Sequence, residues 1–366
     1  MKKKKVKKII LLIILIIVIL ALLFVLGTYI YHRVKTNEEI SKLKEEGYYN
    51  PISVGDYSLN VAKFGNESGK HTIVGLAGLG MGDYSVSARQ MTKTLEEDNL
   101  VVFVDRAGYG FSDDTNNDMT LEYIVEDYRK ALKNAGIKAP YILMPHSIGG
   151  AYATYWVSKY PQEIEAIAFV DGSQLSADAF DDEEPEKVDF EDKFLATLAK
   201  MGFSRYVLRD YFYHYPKNYS DEEQYLGDAL YYMTMDSIAP ISETAFLKQN
   251  AKDAFNGAIK TDVPKIYICA SWGRQTKEDI IENFEWINEQ IESYHIKMDK
   301  KSTDLDDKTV KEILEQYEEM RENDLKPYLE KMGNCELIYL SGDHMIYEQK
   351  PDECGKIIKE FIDNLD

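Results

Sequence analysis

Residues 141–150 read YILMPHSIGG. An apolar run ends abruptly at Ser147, and two glycines follow at once. That order compresses a buried strand, a sharp turn and a helix start into a few residues, with a hydroxyl at the apex. A fold presents a serine nucleophile above a sheet in this way. A serine capping a buried helix is the other reading of the same residues. The remainder of the chain has to separate the two.

Outward from this turn, the sequence alternates between two hydrophobic periods. Residues 72–76 (TIVGL), 100–104, 141–144, 164–170, 263–270 (VPKIYICA) and 335–340 are short apolar runs and read as buried strands. Residues 52–65 alternate apolar and polar around Gly55-Asp56, a hairpin signal. Residues 121–135 (LEYIVEDYRKALKNA) predict an amphipathic helix closed by Gly136. Helical spacing also covers 84–97 and 150–159, and 355–364 forms a closing helix. Strands alternating with helices predict an α/β domain with a mostly parallel sheet and right-handed crossovers. The alternation lapses twice. Residues 172–262 are first acidic, then rich in Tyr, Met and Phe at helical spacing. Residues 272–334 hold two charged helices, with Thr276-x-x-Asp279 and Thr309-x-x-Glu312 as their N-cap signals.

Charge bounds the partners. Residues 1–8 hold six lysines, and residues 9–31 carry no charge, long enough to span a bilayer as a helix. A cleaved signal peptide has a shorter apolar core and a small-residue cleavage site, so the expectation is an uncleaved single-pass anchor in the cell membrane. The lysine cluster predicts a cytoplasmic N-terminus and an extracytoplasmic domain, with His32, Arg33 and Lys35 as a weaker basic flank. The whole chain of 366 residues carries a formal charge of −20. Eight of its 43 Lys/Arg and none of its 63 Asp/Glu fall in residues 1–35, so the remainder carries −28. Such a domain is expected to avoid nucleic acid, whose affinity rests on basic residues neutralising phosphates, and to be repelled by anionic membrane surfaces. Cys269, Cys335 and Cys354 make no disulfide framework, and the first and second read as buried core thiols. No Cys/His spacing suggests a zinc site, and no cofactor or metal is expected.

Four signatures carry a family resemblance over residues 50–366. PHSIGG resembles the nucleophile elbow of the α/β-hydrolase superfamily, G-x-S-x-G, with Pro145 in place of the first glycine. LAGLGMG (76–82) resembles its oxyanion loop, with Ala77 where a histidine is usual and Gly78 kept. DRAGYGFSD (105–113) resembles its D-R-x-G-x-G-x-S turn, and SGDHMIYEQKP (341–351) its histidine loop. The G-x-G of the third lacks the next glycine and following helix of a dinucleotide loop.

The resemblance implies an α/β-hydrolase fold with an inserted helical cap and an N-terminal transmembrane helix. Its expected divisions are a cytoplasmic lysine cluster (1–8), the transmembrane helix (9–31), a partly helical stalk (32–49), the hydrolase core (50–171 and 263–366) and the cap (172–262). It implies Ser147 as nucleophile, His344 as general base, and the backbone amides of Leu79 and Ile148 as oxyanion donors. A histidine suits the task because it takes and returns a proton near neutral pH. His146 is expected to point elsewhere. Two acids are candidates. Thr276 stands where Asp is usual after the 263–270 strand, which leaves Asp279 nearby, more readily read as part of a helix first turn. Asp171 at the end of the preceding strand is favoured on geometric grounds. Asp343 adjoins His344 too closely to orient it. Serine at the apex argues against epoxide hydrolase or dehalogenase chemistry, where relatives use aspartate. The expected activity is hydrolysis of carboxylic esters, small or lipid-like. A peptidase of the same fold, or a non-catalytic hydrolase-like binding protein, is the alternative.

Overall fold

The computed structural model describes residues 2–173, 175, 185, 187–207, 214–271 and 306–365. Its described apolar runs become an eight-stranded sheet of order β1-β2-β4-β3-β5-β6-β7-β8. The strands are β1 (Pro51–Ser53), β2 (Ser58–Gly65), β3 (Thr72–Leu76), β4 (Leu100–Val104), β5 (Tyr141–Ser147), β6 (Ile164–Gly172), β7 (Lys265–Ser271) and β8 (Cys335–Ser341). The β1–β2 hairpin and the β2–β4 pair are antiparallel, and every other pairing is parallel. Between β3 and β5 the strand order reverses direction. That switch point opens a crevice at the carboxyl ends of the strands, where open α/β sheets hold ligands. The sequence puts LAGLGMG at the end of β3 and Ser147 at the end of β5, on either side of this crevice.

Period-two alternation sends successive strand residues to opposite faces. Val74, Leu143 and Phe169 pack on one face with Val125, Tyr128 and Trp156. Ile73, Met144 and Val170 pack on the other with Met91, Ile358 and Ile362. The first face is covered by α4 (Leu121–Asn134), α5 (Gly149–Lys159), α9 (Ala239–Gly257) and α10 (Asp307–Met332). Thr120 caps α4 by accepting from the Tyr123 amide at 3.3 Å, and Gly136 follows at φ 76°, the left-handed stop expected of glycine.

Several expectations need correction. Residues 84–97 form no single helix but two four-residue turns, α2 (Tyr84–Ser87) and α3 (Arg89–Thr92). Tyr84 to Ala88 are all buried, a demand that one amphipathic stripe cannot meet. Thr309 is not an N-cap. Asp306 caps α10, accepting from the Thr309 amide at 2.7 Å. The paired signal at Thr276 and Asp279 lies outside the described residues. Cys269 is buried as expected, but Cys335 is only half-buried, because β8 is an edge strand.

Residues 2–45 form one continuous helix, α1 (Lys2–Glu45), through the apolar run and most of the polar stretch after it. It is long and apolar enough to cross a membrane. Beyond the apolar run it does not stand free. Thr28, His32, Thr36, Glu39 and Leu43 are buried at helical spacing. They face helices inserted between β6 and β7: α6 (Phe190–Lys200), α7 (Ser204–Val207) and α8 (Asp221–Met235), which α9 follows. The closing helices are α11 (Ile346–Gln349) and α12 (Pro351–Asp363).

Candidate active site

Ser147 ends β5 with φ 50°, a left-handed backbone that a non-glycine residue rarely holds without support. The ladder to β6 shifts register between His146 and Ser147, where the strand bends into α5. The glycines make the bend possible. A Cβ on Gly149 would stand 2.4 Å from the Leu76 carbonyl oxygen, and one on Gly78 would stand 3.0 Å from the Ser147 Cβ. The β3 loop and the serine turn are therefore pressed together. Ile148, not Ser147, occupies the N-cap of α5, and no side chain caps that helix. The capping reading of Ser147 falls, and its half-buried hydroxyl makes no hydrogen bond to protein among the described residues.

His344 follows β8. Its Nδ1 lies 2.7 Å from Asp171 Oδ2, leaving Nε2 free of that contact. Asp171 is itself at φ 43° near the end of β6. The kink turns its carboxylate across the sheet edge, where Oδ1 accepts from the Ala270 amide at 2.9 Å. With Asp171 buried and the His344 side chain 40% exposed, the pair has an anchored end and a reachable end. Asp279 lies outside the described residues. The Asp343 carboxylate is engaged elsewhere, accepting from the Met345 amide at 2.7 Å and from Gln349 Nε2.

His146 was expected to point elsewhere than the nucleophile beside it, and its ring lies against His344, with ring centroids 4.6 Å apart. Its Nε2 donates to the His344 carbonyl at 2.9 Å. Burial first, then the neighbouring His344, push its pKa down to about 3. It is therefore neutral, with Nε2 carrying the proton and Nδ1 buried without a partner. Only its adjacency to Ser147 in the elbow signalled a role.

The loop after β3 is held from behind. Arg106 Nη1 donates to the Ala77 carbonyl and Nη2 to the Gly78 carbonyl, each at 2.7 Å. Its Nε pairs with Glu243 on α9 at 2.9 Å, both side chains almost wholly buried. A trans peptide points its C=O and N–H in opposite directions. With the Gly78 oxygen drawn to Arg106, the Leu79 N–H must point the other way. Among the described residues, neither the Leu79 nor the Ile148 amide donates to a protein acceptor. The turn carrying Arg106 is fixed by Asp105, which accepts from Asn60 Nδ2 at 3.0 Å and the Phe111 amide at 3.2 Å. Burial pushes Asp105 up to about 7. The sequence marked Arg106 through its motif but gave no sign of Glu243, which is 137 positions away.

Above the loop, α6 to α9 line an open cavity of about 1140 Å³ that reaches Gly80, with Leu195, Leu198, Phe203 and Met235 among its walls.

Comparisons with known proteins fit this architecture. The chain is 39% identical to YbdG, an uncharacterized protein of Bacillus subtilis, over 150 residues, which are 41% of this chain and 45% of YbdG. It spans less than half the length of the curated relatives it matches. Among solved structures it resembles the haloalkane dehalogenase DatA of Agrobacterium tumefaciens, with a TM-score of 0.55 and 14% identity over 87% of this chain and 96% of that one. It also resembles a membrane phospholipase A described as a bacterial virulence factor, with a TM-score of 0.54 and 15% identity over 94% of this chain and 97% of that one. Such identities speak to fold alone. A family model described as alpha/beta hydrolase fold matches residues 73–290, more than half of the sequence. The chain belongs to the α/β-hydrolase fold family.

Proposed function

We propose that the protein is a membrane-anchored serine hydrolase that cleaves carboxylic esters through an acyl-enzyme on Ser147. The observation that carries this reading is the 2.7 Å contact from His344 Nδ1 to Asp171 Oδ2. It lies at the carboxyl ends of the strands, as does Ser147 in its strained turn. Asp171 fixes the imidazole tautomer and stabilises the imidazolium. His344 takes the Ser147 hydroxyl proton on Nε2 as Oγ attacks the acyl carbon. The amides of Leu79 and Ile148 receive the developing oxyanion, each contributing about 3 kcal/mol to the transition state. The proton on Nε2 passes to the leaving alkoxide. A water, deprotonated by the same nitrogen, then releases the acid and restores Ser147. The likeness to dehalogenases is one of fold. A serine stands where those relatives use an aspartate.

In this reading α1 spans the cell membrane with the lysine cluster inside and the hydrolase domain outside. Helices α6 to α9 form the cap over the site, and their cavity accepts the acyl chain. The test is covalent labelling by a fluorophosphonate probe. Wild-type protein should label and Ser147→Ala should not. No labelling of folded wild-type protein, or equal labelling of both, would leave a binding protein with a hydrolase fold.

A further inference from the structure

The contacts between α1 and the cap fix how deep the cap sits. Phe24 lies within the uncharged run, seven residues before its last member, Tyr31. At 1.5 Å per residue, Phe24 is about 10 Å deeper than Tyr31 along the helix. The Phe203 ring packs edge-on against Phe24 at a centroid distance of 6.2 Å, and Tyr206 packs on Tyr31 at 6.1 Å. Gly202 brings the α6–α7 corner close enough that a Cβ there would stand 2.7 Å from the Thr28 carbonyl oxygen. This docking is locked by polar contacts. Arg205 donates to both Glu39 oxygens at 2.7 and 2.6 Å and to His32 Nδ1 at 2.9 Å, and His32 Nε2 meets Asp236 at 2.9 Å. A helix that crosses the bilayer therefore carries the α6–α7 corner down with it.

Large apolar side chains are exposed along the two helices that meet at this corner. Phe190 is 84% exposed, Phe194 50%, Leu195 55% and Val207 64%. Phe190 and Phe194 stack one helical turn apart. Leu195, Phe203 and Val207 also line the cavity over Gly80, so the cavity and the apolar face share a wall.

We infer that this face of the cap is seated in the outer leaflet of the bilayer and admits lipid-derived esters sideways from the membrane into the cavity. The occupant is a lipid surface, because the face adjoins a helix whose most apolar 18-residue window has no residue buried by protein. A neutral or zwitterionic surface suits it better than an anionic one, because residues 36–366 carry a net −28. The inference rests on the proposed anchor and on the proposed hydrolase.

The test uses the full chain in phosphatidylcholine nanodiscs, in a Cys335→Ser background, with a polarity-sensitive fluorophore on one introduced cysteine. The positions are Phe194→Cys on the cap face, Leu22→Cys within α1, and Lys356→Cys on α12 as the aqueous reference. Lipids brominated in the acyl chain should quench the probes at 22 and 194 and spare the one at 356. A probe at 194 that behaves like the one at 356, with 22 quenched, overturns the inference and leaves the anchor standing. No quenching at 22 removes the anchor and the inference together. The second arm is the double variant Phe190→Ser, Phe194→Ser. It should hydrolyse a long-chain ester presented in the bilayer about tenfold more slowly, with a soluble short-chain ester unaffected. Equal losses on both substrates overturn the route of entry. A wild-type protein inactive on either substrate removes the hydrolase reading, while the quenching result still decides where the cap sits.

Discussion

Arg106→Lys tests the proposed oxyanion site without touching it. Arginine uses three nitrogens here, two on the carbonyls of Ala77 and Gly78 and one on Glu243. A lysine keeps the charge beside Glu243, so no buried carboxylate is left alone. That avoids the larger cost, about 3–5 kcal/mol, of breaking a buried pair. Its single ammonium cannot fork to both carbonyls. Losing one charge-assisted hydrogen bond should cost about 2 kcal/mol of stability, a fall in Tm of about 5 °C. The larger effect should be on rate. Once the Gly78 oxygen is released, the Leu79 N–H is no longer aimed, and a donor worth about 3 kcal/mol becomes intermittent. The expected loss is about 10- to 100-fold in fluorophosphonate labelling rate and in hydrolysis of a short p-nitrophenyl ester. Tyr128→Phe is the control. It removes only the 3.3 Å phenol contact to Arg106 and should label at close to the wild-type rate. A folded Arg106→Lys protein that labels as fast as wild type refutes the argument that Arg106 orients the Leu79 amide.

Asp171→Asn places an amide opposite the Ala270 N–H and the His344 imidazole, favouring the wrong tautomer, and should cut ester hydrolysis roughly 10³- to 10⁴-fold. Asp279→Asn should change it less than about twofold, and the reverse result would move the acid to Asp279. Gly149→Ala forces a Cβ to within 2.4 Å of the Leu76 carbonyl oxygen. A loss of about 1–3 kcal/mol is expected in denaturant melts, and an unchanged midpoint would contradict the close approach of β3 and α5. His146 has its pKa lowered from 6.5 to about 3, so between those values the unfolded chain binds more protons than the folded one. Its contribution to stability is full above pH 6.5 and is lost as pH falls toward 3, with a slope approaching about 1.4 kcal/mol per unit. His146→Gln removes that term, so the stability gap between wild type and variant should narrow from pH 7 to pH 4. Parallel curves would show that His146 is not held neutral.

The strands were legible because each is a short apolar run closed by turn residues, and this local pattern survives folding. The hairpin at Gly55-Asp56 and the stop at Gly136 were legible for the same reason. Residues 84–97 misled because their spacing is helical while burial engages nearly every side chain from Tyr84 to Ala88. Tertiary packing overrode periodicity there. Thr309 misled because two acids precede the helix, and Asp306, three positions earlier, caps it first.

The sequence by itself determined the fold family, the serine turn, the histidine loop and a helix able to cross a membrane, because motifs and hydrophobic period are local properties. Tertiary structure alone set the 2.7 Å approach of His344 to Asp171, which stand 173 positions apart. It alone set His146 beneath the His344 loop, the Arg106–Glu243 brace behind Gly78, and the docking of α1 on the helices inserted between β6 and β7. These depend on where crossovers and insertions return the chain. No spacing along a polymer encodes the direction in which a side chain finally points.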